Sequence, residues 1–104
     1  MPIERRSESK PEQHPELVDA LAKELRKPTK KGPLVIEEKV RGLNRIYVTV
    51  VWNLWQDVHP EDRAAVILDS YQAARGDLEM LQISLAVGAT PEEAKKMGLF
   101  KKAG

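Results

Sequence analysis

Arg45-Ile46-Tyr47-Val48-Thr49-Val50-Val51-Trp52-Asn53-Leu54-Trp55 decides how this chain folds. β-Branched and aromatic residues occupy both alternating faces of the stretch, so it predicts a strand that needs a layer or a partner on each side. Ile46, Val48, Val50, Trp52 and Leu54 make one continuous apolar face able to build a core. Tyr47, Thr49, Val51, Asn53 and Trp55 make the other, mixed in character and suited to binding. A regular strand puts Trp52 in the core and Trp55 on the binding face; a bulge near Asn53 would turn Trp55 inward instead.

Working outward, Leu34–Val40 predicts a shorter, more charged strand, joined to the first by a turn at Arg41-Gly42-Leu43-Asn44. Upstream, Pro15 suits a first helical turn, and Leu17, Leu21 and Leu25 recur with Val18 and Ala22 beside them, predicting a helix from Pro15 to Arg26 that Pro28 stops. Downstream, His59-Pro60-Glu61-Asp62 opens a second helix and Arg75-Gly76 closes it, with Ala64, Ile67, Leu68, Tyr71 and Ala74 as its buried stripe. Leu81, Ile83, Leu85 and Val87 then alternate with Gln82, Ser84, Ala86 and Gly88 as a third strand. Thr90-Pro91-Glu92-Glu93 is a capping box opening a last short helix.

A helix between two strands favours a right-handed crossover, laying the third strand parallel to the central one. The expectation is an α+β domain of order α-β-β-α-β-α, a three-stranded mixed sheet with helices on one face. The other face stays open. It is expected to carry Val35, Glu37 and Lys39, then Tyr47, Thr49, Val51, Asn53 and Trp55, then Gln82, Ser84 and Ala86.

The chain has 104 residues and a formal net charge of +1, enough for one domain with a modest core. Residues 1–13 read as a disordered tail, 14–100 as the domain and 101–104 as a basic tail. The absence of cysteine excludes disulfides and thiolate metal sites, and an intracellular, cytoplasmic location is the simplest expectation. No segment approaches the roughly 20 apolar residues of a membrane span. Near-neutrality argues against nucleic-acid binding by bulk charge alone. Lys27, Lys30 and Lys31 nevertheless form a local basic cluster.

Chemistry-bearing residues are sparse. His14 and His59 are the only histidines, each beside a proline at an expected helix start, so no metal site or cofactor is expected. Glu61-Asp62 and Glu92-Glu93 fall in first helical turns, where acids complement the helix dipole. Glu37 and Glu38 point to opposite faces and cannot act on one substrate. No nucleophile motif accompanies these groups, so no catalytic residues and no enzyme activity are expected.

Leu34-Val35-Ile36-Glu37-Glu38, Ile46–Val51 and a third strand running into Thr90-Pro91-Glu92-Glu93-Ala94 together resemble the BolA family across roughly residues 15 to 98. That resemblance implies a class II KH-like fold and a non-enzymatic protein. It also implies pairing with monothiol glutaredoxins over iron-sulfur clusters, or DNA binding. The family's cluster-ligating histidine falls near Leu81 or Gln82 here, and its Arg-His-Arg run reads Arg63-Ala64-Ala65. The fold is therefore what the resemblance carries over, not cluster sharing. A Gly-x-x-Gly loop for clamping nucleic acid is also missing.

The expected site is the open sheet face, with Tyr47, Val51 and Trp55 meeting a protein partner or a second copy. The alternative is single-stranded nucleic acid, with Lys27, Lys30, Lys31 and Arg45 on phosphate and Tyr47 or Trp55 stacking on bases.

Overall fold

The computed structural model describes residues 14–98. The expected tails at 1–13 and 101–104, and the last two residues of the expected domain, lie outside the described residues. Helix α1 (Pro15–Arg26) leads into the hairpin β1 (Leu34–Lys39) and β2 (Ile46–Val51), and a 3-10 turn at Asn53–Trp55 passes the chain to α2 (Pro60–Arg75). A short helix α3 (Asp77–Leu81) precedes β3 (Ile83–Ala89), and α4 (Pro91–Lys96) follows it. The sheet order is β1-β2-β3, with β1 antiparallel and β3 parallel to β2. This is the α+β arrangement that the apolar patterning and crossover rule predict, except that Leu81, expected to open the third strand, ends the added helix α3 instead.

Helices α1 and α2 cover one face. Leu21 and Leu25 from α1, and Val66, Ile67 and Tyr71 from α2, bury against Ile46, Val48 and Val50 of β2. The stripe of α2 is turned from the expected one: Arg63 and Ser70 are buried, whereas Ala64 and Leu68 are only half-buried. Ser70 fits between the helices because its hydroxyl donates to the Val66 carbonyl at 2.6 Å, with the Val18 carbonyl of α1 at 3.3 Å. A hydroxyl bonded in this way offsets the cost of its burial.

The central strand is shorter than its composition suggests. It ends at Val51, and after Trp52 the backbone closes a 3-10 turn with the Trp55 amide donating to the Trp52 carbonyl at 3.3 Å. The turn breaks the period-two alternation. Leu54, expected in the core, is half exposed, and Trp55, expected on the open face, is fully buried. The Trp55 indole donates to the Val50 carbonyl at 3.0 Å and meets Trp52 edge-on, with ring centroids 5.1 Å apart. An aromatic pair in this geometry adds about 0.5–1.5 kcal/mol beyond area burial.

Register corrects the membership of both outer strands. Leu34 pairs with Val51, Ile36 with Thr49 and Glu38 with Tyr47, so these β1 residues share the open face, while Val35, Glu37 and Lys39 face the helix layer. On β3 the partners of Tyr47, Thr49 and Val51 are Leu85, Val87 and Ala89. An irregularity between Ile46 and Tyr47 sets Ser84 aside and reverses the expected alternation, so Gln82, Ser84 and Ala86 do not form the open face. Asn53 has left the strand altogether.

Candidate interaction surface

On the side of the sheet away from α1 and α2, Leu34, Tyr47 and Leu85 expose 47%, 42% and 51% of their surface. Half-buried Ile36, Thr49 and Val87 lie among them, making a patch drawn from all three strands. Of the expected partner-binding residues, Tyr47 stands in this patch. Val51 lies at its end, buried with Ala89 beneath Ala94 of α4. Trp55 belongs to the core and is withdrawn from the surface.

Helix α4 thus caps one end of the open face instead of joining the helix layer. Its capping box is complete: the Glu93 amide donates to the Thr90 hydroxyl at 3.2 Å, and the Thr90 amide donates to the Glu93 carboxylate at 3.0 Å. The same carboxylate accepts from the Arg63 guanidinium at 2.7 Å. The Thr90 amide and Arg63 together hold the Glu93 carboxyl below the usual glutamate range.

Arg63 is the residue that sequence reasoning undervalued. Its guanidinium donates to the carbonyls of Val58 at 2.7 Å, Trp55 at 2.9 Å and Gly88 at 3.0 Å, as well as to Glu93. It closes the end of the sheet by tying carbonyls of the turn after β2 to that of Gly88 in β3; the Trp55 carbonyl also accepts from the Val58 amide at 2.9 Å. Its role here is structural. A lone arginine beside alanines gives no sequence signal for that, because its partners are backbone carbonyls of the 55–58 turn and of Gly88, with the Glu93 carboxylate.

The basic residues of the alternative reading do not converge. Lys27, Lys30 and Lys31 precede the Leu34 end of β1, whereas Arg45 pairs with Val40 at the other end of the hairpin. A six-residue strand separates the two ends by about 17–20 Å. Arg45 does lie on the open-face side with Tyr47, its guanidinium 3.4 Å from the Ser84 hydroxyl.

Elsewhere, His14 approaches Asp62 at 3.8 Å, joining the start of α1 to that of α2. Among the described residues no three His, Cys, Asp or Glu side chains come together as a metal site would require. Among the same residues no helix is long and apolar enough to cross a membrane.

A second feature lies between the helix layer and β1, where Leu25, Pro28, Pro33 and Leu34 wall a cleft of about 380 Å³ with Glu24, Glu37 and Arg75 at its polar side. The Tyr71 hydroxyl donates to Glu37 Oε2, which Arg75 also meets at 3.4 Å, and Arg75 reaches Glu79 at 2.9 Å. Burial and the Glu37 carboxylate push the Tyr71 phenol well above the ordinary tyrosine range.

No protein-family model, curated protein or solved structure matches the chain. Its own geometry has to carry the functional reading.

Proposed function

We propose that this chain is a non-catalytic interaction module, BolA-like in architecture, that binds a protein partner or a second copy of itself through the open face of its sheet. The observation that carries this reading is the three-strand apolar patch of Leu34, Ile36, Tyr47, Leu85 and Val87, with no described helix over its centre. A contiguous patch of this kind is costly to leave in water and is the usual mark of a binding surface. The α-β-β-α-β-α order and the antiparallel-then-parallel pairing support the BolA-like reading, although Gln82 and Leu81 cannot replace the family's histidine ligand.

Sedimentation of the wild type over a wide concentration range tests self-association, beside Tyr47→Ala and Leu85→Lys. The wild type is expected to shift toward dimer while both variants stay monomeric. A wild-type chain that remains monomeric at high concentration removes the homodimer. Labelled single strands titrated at several salt concentrations test the competing reading, because phosphate contacts give a salt-dependent affinity. Salt-dependent shifts at Arg45 and Tyr47 in that titration would replace the protein reading with nucleic-acid binding. With Trp55 in the core, Tyr47 is the aromatic left on the face for stacking among the described residues.

A further inference from the structure

We propose that the outer edge of β1, with the cleft beside it, is a recognition site for an extended peptide that adds a fourth strand to the sheet and sends a lysine or arginine side chain into the cleft. This site meets the open face at Leu34 but does not depend on it.

The first support is the hydrogen-bond phase of the hairpin. The Val40 amide donates to the Arg45 carbonyl at 3.0 Å, which makes 40 and 45 a bonded pair. In an antiparallel ladder bonded and non-bonded pairs alternate, so positions 38, 36 and 34 also bond to β2. The N–H and C=O groups of Val35, Glu37 and Lys39 therefore point away from β2, at the edge of the three-stranded sheet. Such a row of groups is a template for one more strand.

The second support is the chemistry of the cleft along that edge. Val35 and Glu37 face the helix layer and line the cleft, so a residue of an added strand on the same side would point toward it. Leu25, Pro28 and Pro33 offer apolar walls to an aliphatic stem. At the polar side the Glu24 carboxylate is taken by Thr29, whose amide and hydroxyl each donate to it at 2.9 Å, so Glu37 is the carboxylate that faces the cleft with capacity to spare, and Arg75 is already shared between Glu37 and Glu79. Tyr71 and Arg75 hold Glu37 through Oε2, leaving Oε1 without a partner among the described residues. A fixed, half-exposed carboxylate at the end of an apolar channel selects a long side chain ending in a cation.

The test is a nuclear magnetic resonance titration of the isotope-labelled full chain with the blocked peptide Ac-Thr-Val-Lys-Val-Thr-NH2, and with the same peptide carrying norleucine for lysine. Saturable shifts are expected at the Val35, Glu37 and Lys39 amides. The norleucine peptide should bind at least about fivefold more weakly, the ratio one charge-assisted hydrogen bond supports in a partly solvated site. Glu37→Gln keeps an acceptor for Tyr71 and should bring the two peptides to equal affinity. Lys39→Pro removes one outward donor without touching the β2 ladder and should weaken both peptides by about tenfold. Silent edge amides at millimolar peptide, equal affinity for the two peptides on the wild type, or shifts confined to Tyr47 and Leu85 would each overturn the proposal. The last of these would assign the binding to the open face.

Discussion

Gly88 sits where β3 passes closest to the closure of the sheet end, and its missing side chain makes that closure possible. A Cβ there would lie 2.8 Å from the Arg63 Cβ and 2.8 Å from the Trp55 indole. Neither neighbour is free to retreat, since Arg63 is held by three carbonyls and a carboxylate and Trp55 is bonded to Val50. Gly88→Ala should therefore destabilise by about 1–3 kcal/mol, the usual cost of forcing atoms into a packed core. Urea unfolding followed by tryptophan fluorescence checks it, because Trp52 and Trp55 both lie in the affected core. In the sequence Gly88 is one of the alternating partners of an ordinary strand, and nothing local distinguishes it from a turn residue. The close approach becomes visible only once Arg63 and Trp55, 25 and 33 positions upstream, are folded onto it.

At the scale of elements, the approximate ends of α1 and α2 were legible, because proline at the first turn and glycine or proline at the end act on the backbone directly. The faces of β1 were legible in principle. A four-residue turn at Arg41–Asn44 pairs Val40 with Arg45 and hence Lys39 with Ile46, which places Glu37 on the helix side. Apolar pattern pointed the other way because Leu34 and Ile36 were matched to the core, whereas turn length sets the register. The loss of Trp55 from the surface was legible only as the alternative, a break near Asn53 turning the indole inward; the break is a 3-10 turn instead of a bulge, and apart from Asn53 the β-prone run has no residue that announces it. With Glu37 inward, β1 is tied to α2 by the Tyr71 hydroxyl, and this tie has a pH signature. The folded state raises the Tyr71 phenol above its unfolded value, so its contribution is full below about pH 10, the ordinary tyrosine value, and is lost as pH rises beyond it. Tyr71→Phe should cost about 1–2 kcal/mol at neutral pH and flatten that alkaline loss. Urea midpoints measured from neutral to alkaline pH for both chains decide it. Parallel curves for wild type and variant would remove Tyr71 as the cause.

At the scale of the molecule, one large cluster lies between the sheet and the α1–α2 layer, and a small one of Val51, Ala89 and Ala94 lies on the opposite side beneath α4. A six-residue helix has no stability of its own, so α4 persists through its capping box, Ala94 and the Arg63–Glu93 pair. Glu93 serves two of these three ties, and its carboxyl is held below the glutamate range by the Thr90 amide first and Arg63 second. A depressed carboxyl stabilises fully above the unfolded glutamate range, and that contribution disappears as pH falls through the folded value. The bonds of Arg63 to the Trp55, Val58 and Gly88 carbonyls do not require Glu93. Acid should therefore release α4 before the main core opens. Hydrogen exchange at neutral pH and at a pH below the unfolded glutamate range reads this directly: at the lower pH, protection of the Ala94 and Met97 amides, bonded to Thr90 and Glu93 carbonyls, should fall while that of β2 amides holds. Glu93→Gln should show weak α4 protection already at neutral pH, with no further loss on acidification. Release of the helix also uncovers Val51 and Ala89, extending the open apolar face, so association through that face should strengthen in acid for the wild type but not for Glu93→Gln. If α4 and β2 lose protection together, the two clusters unfold as one unit and α4 is no independent cover for the sheet.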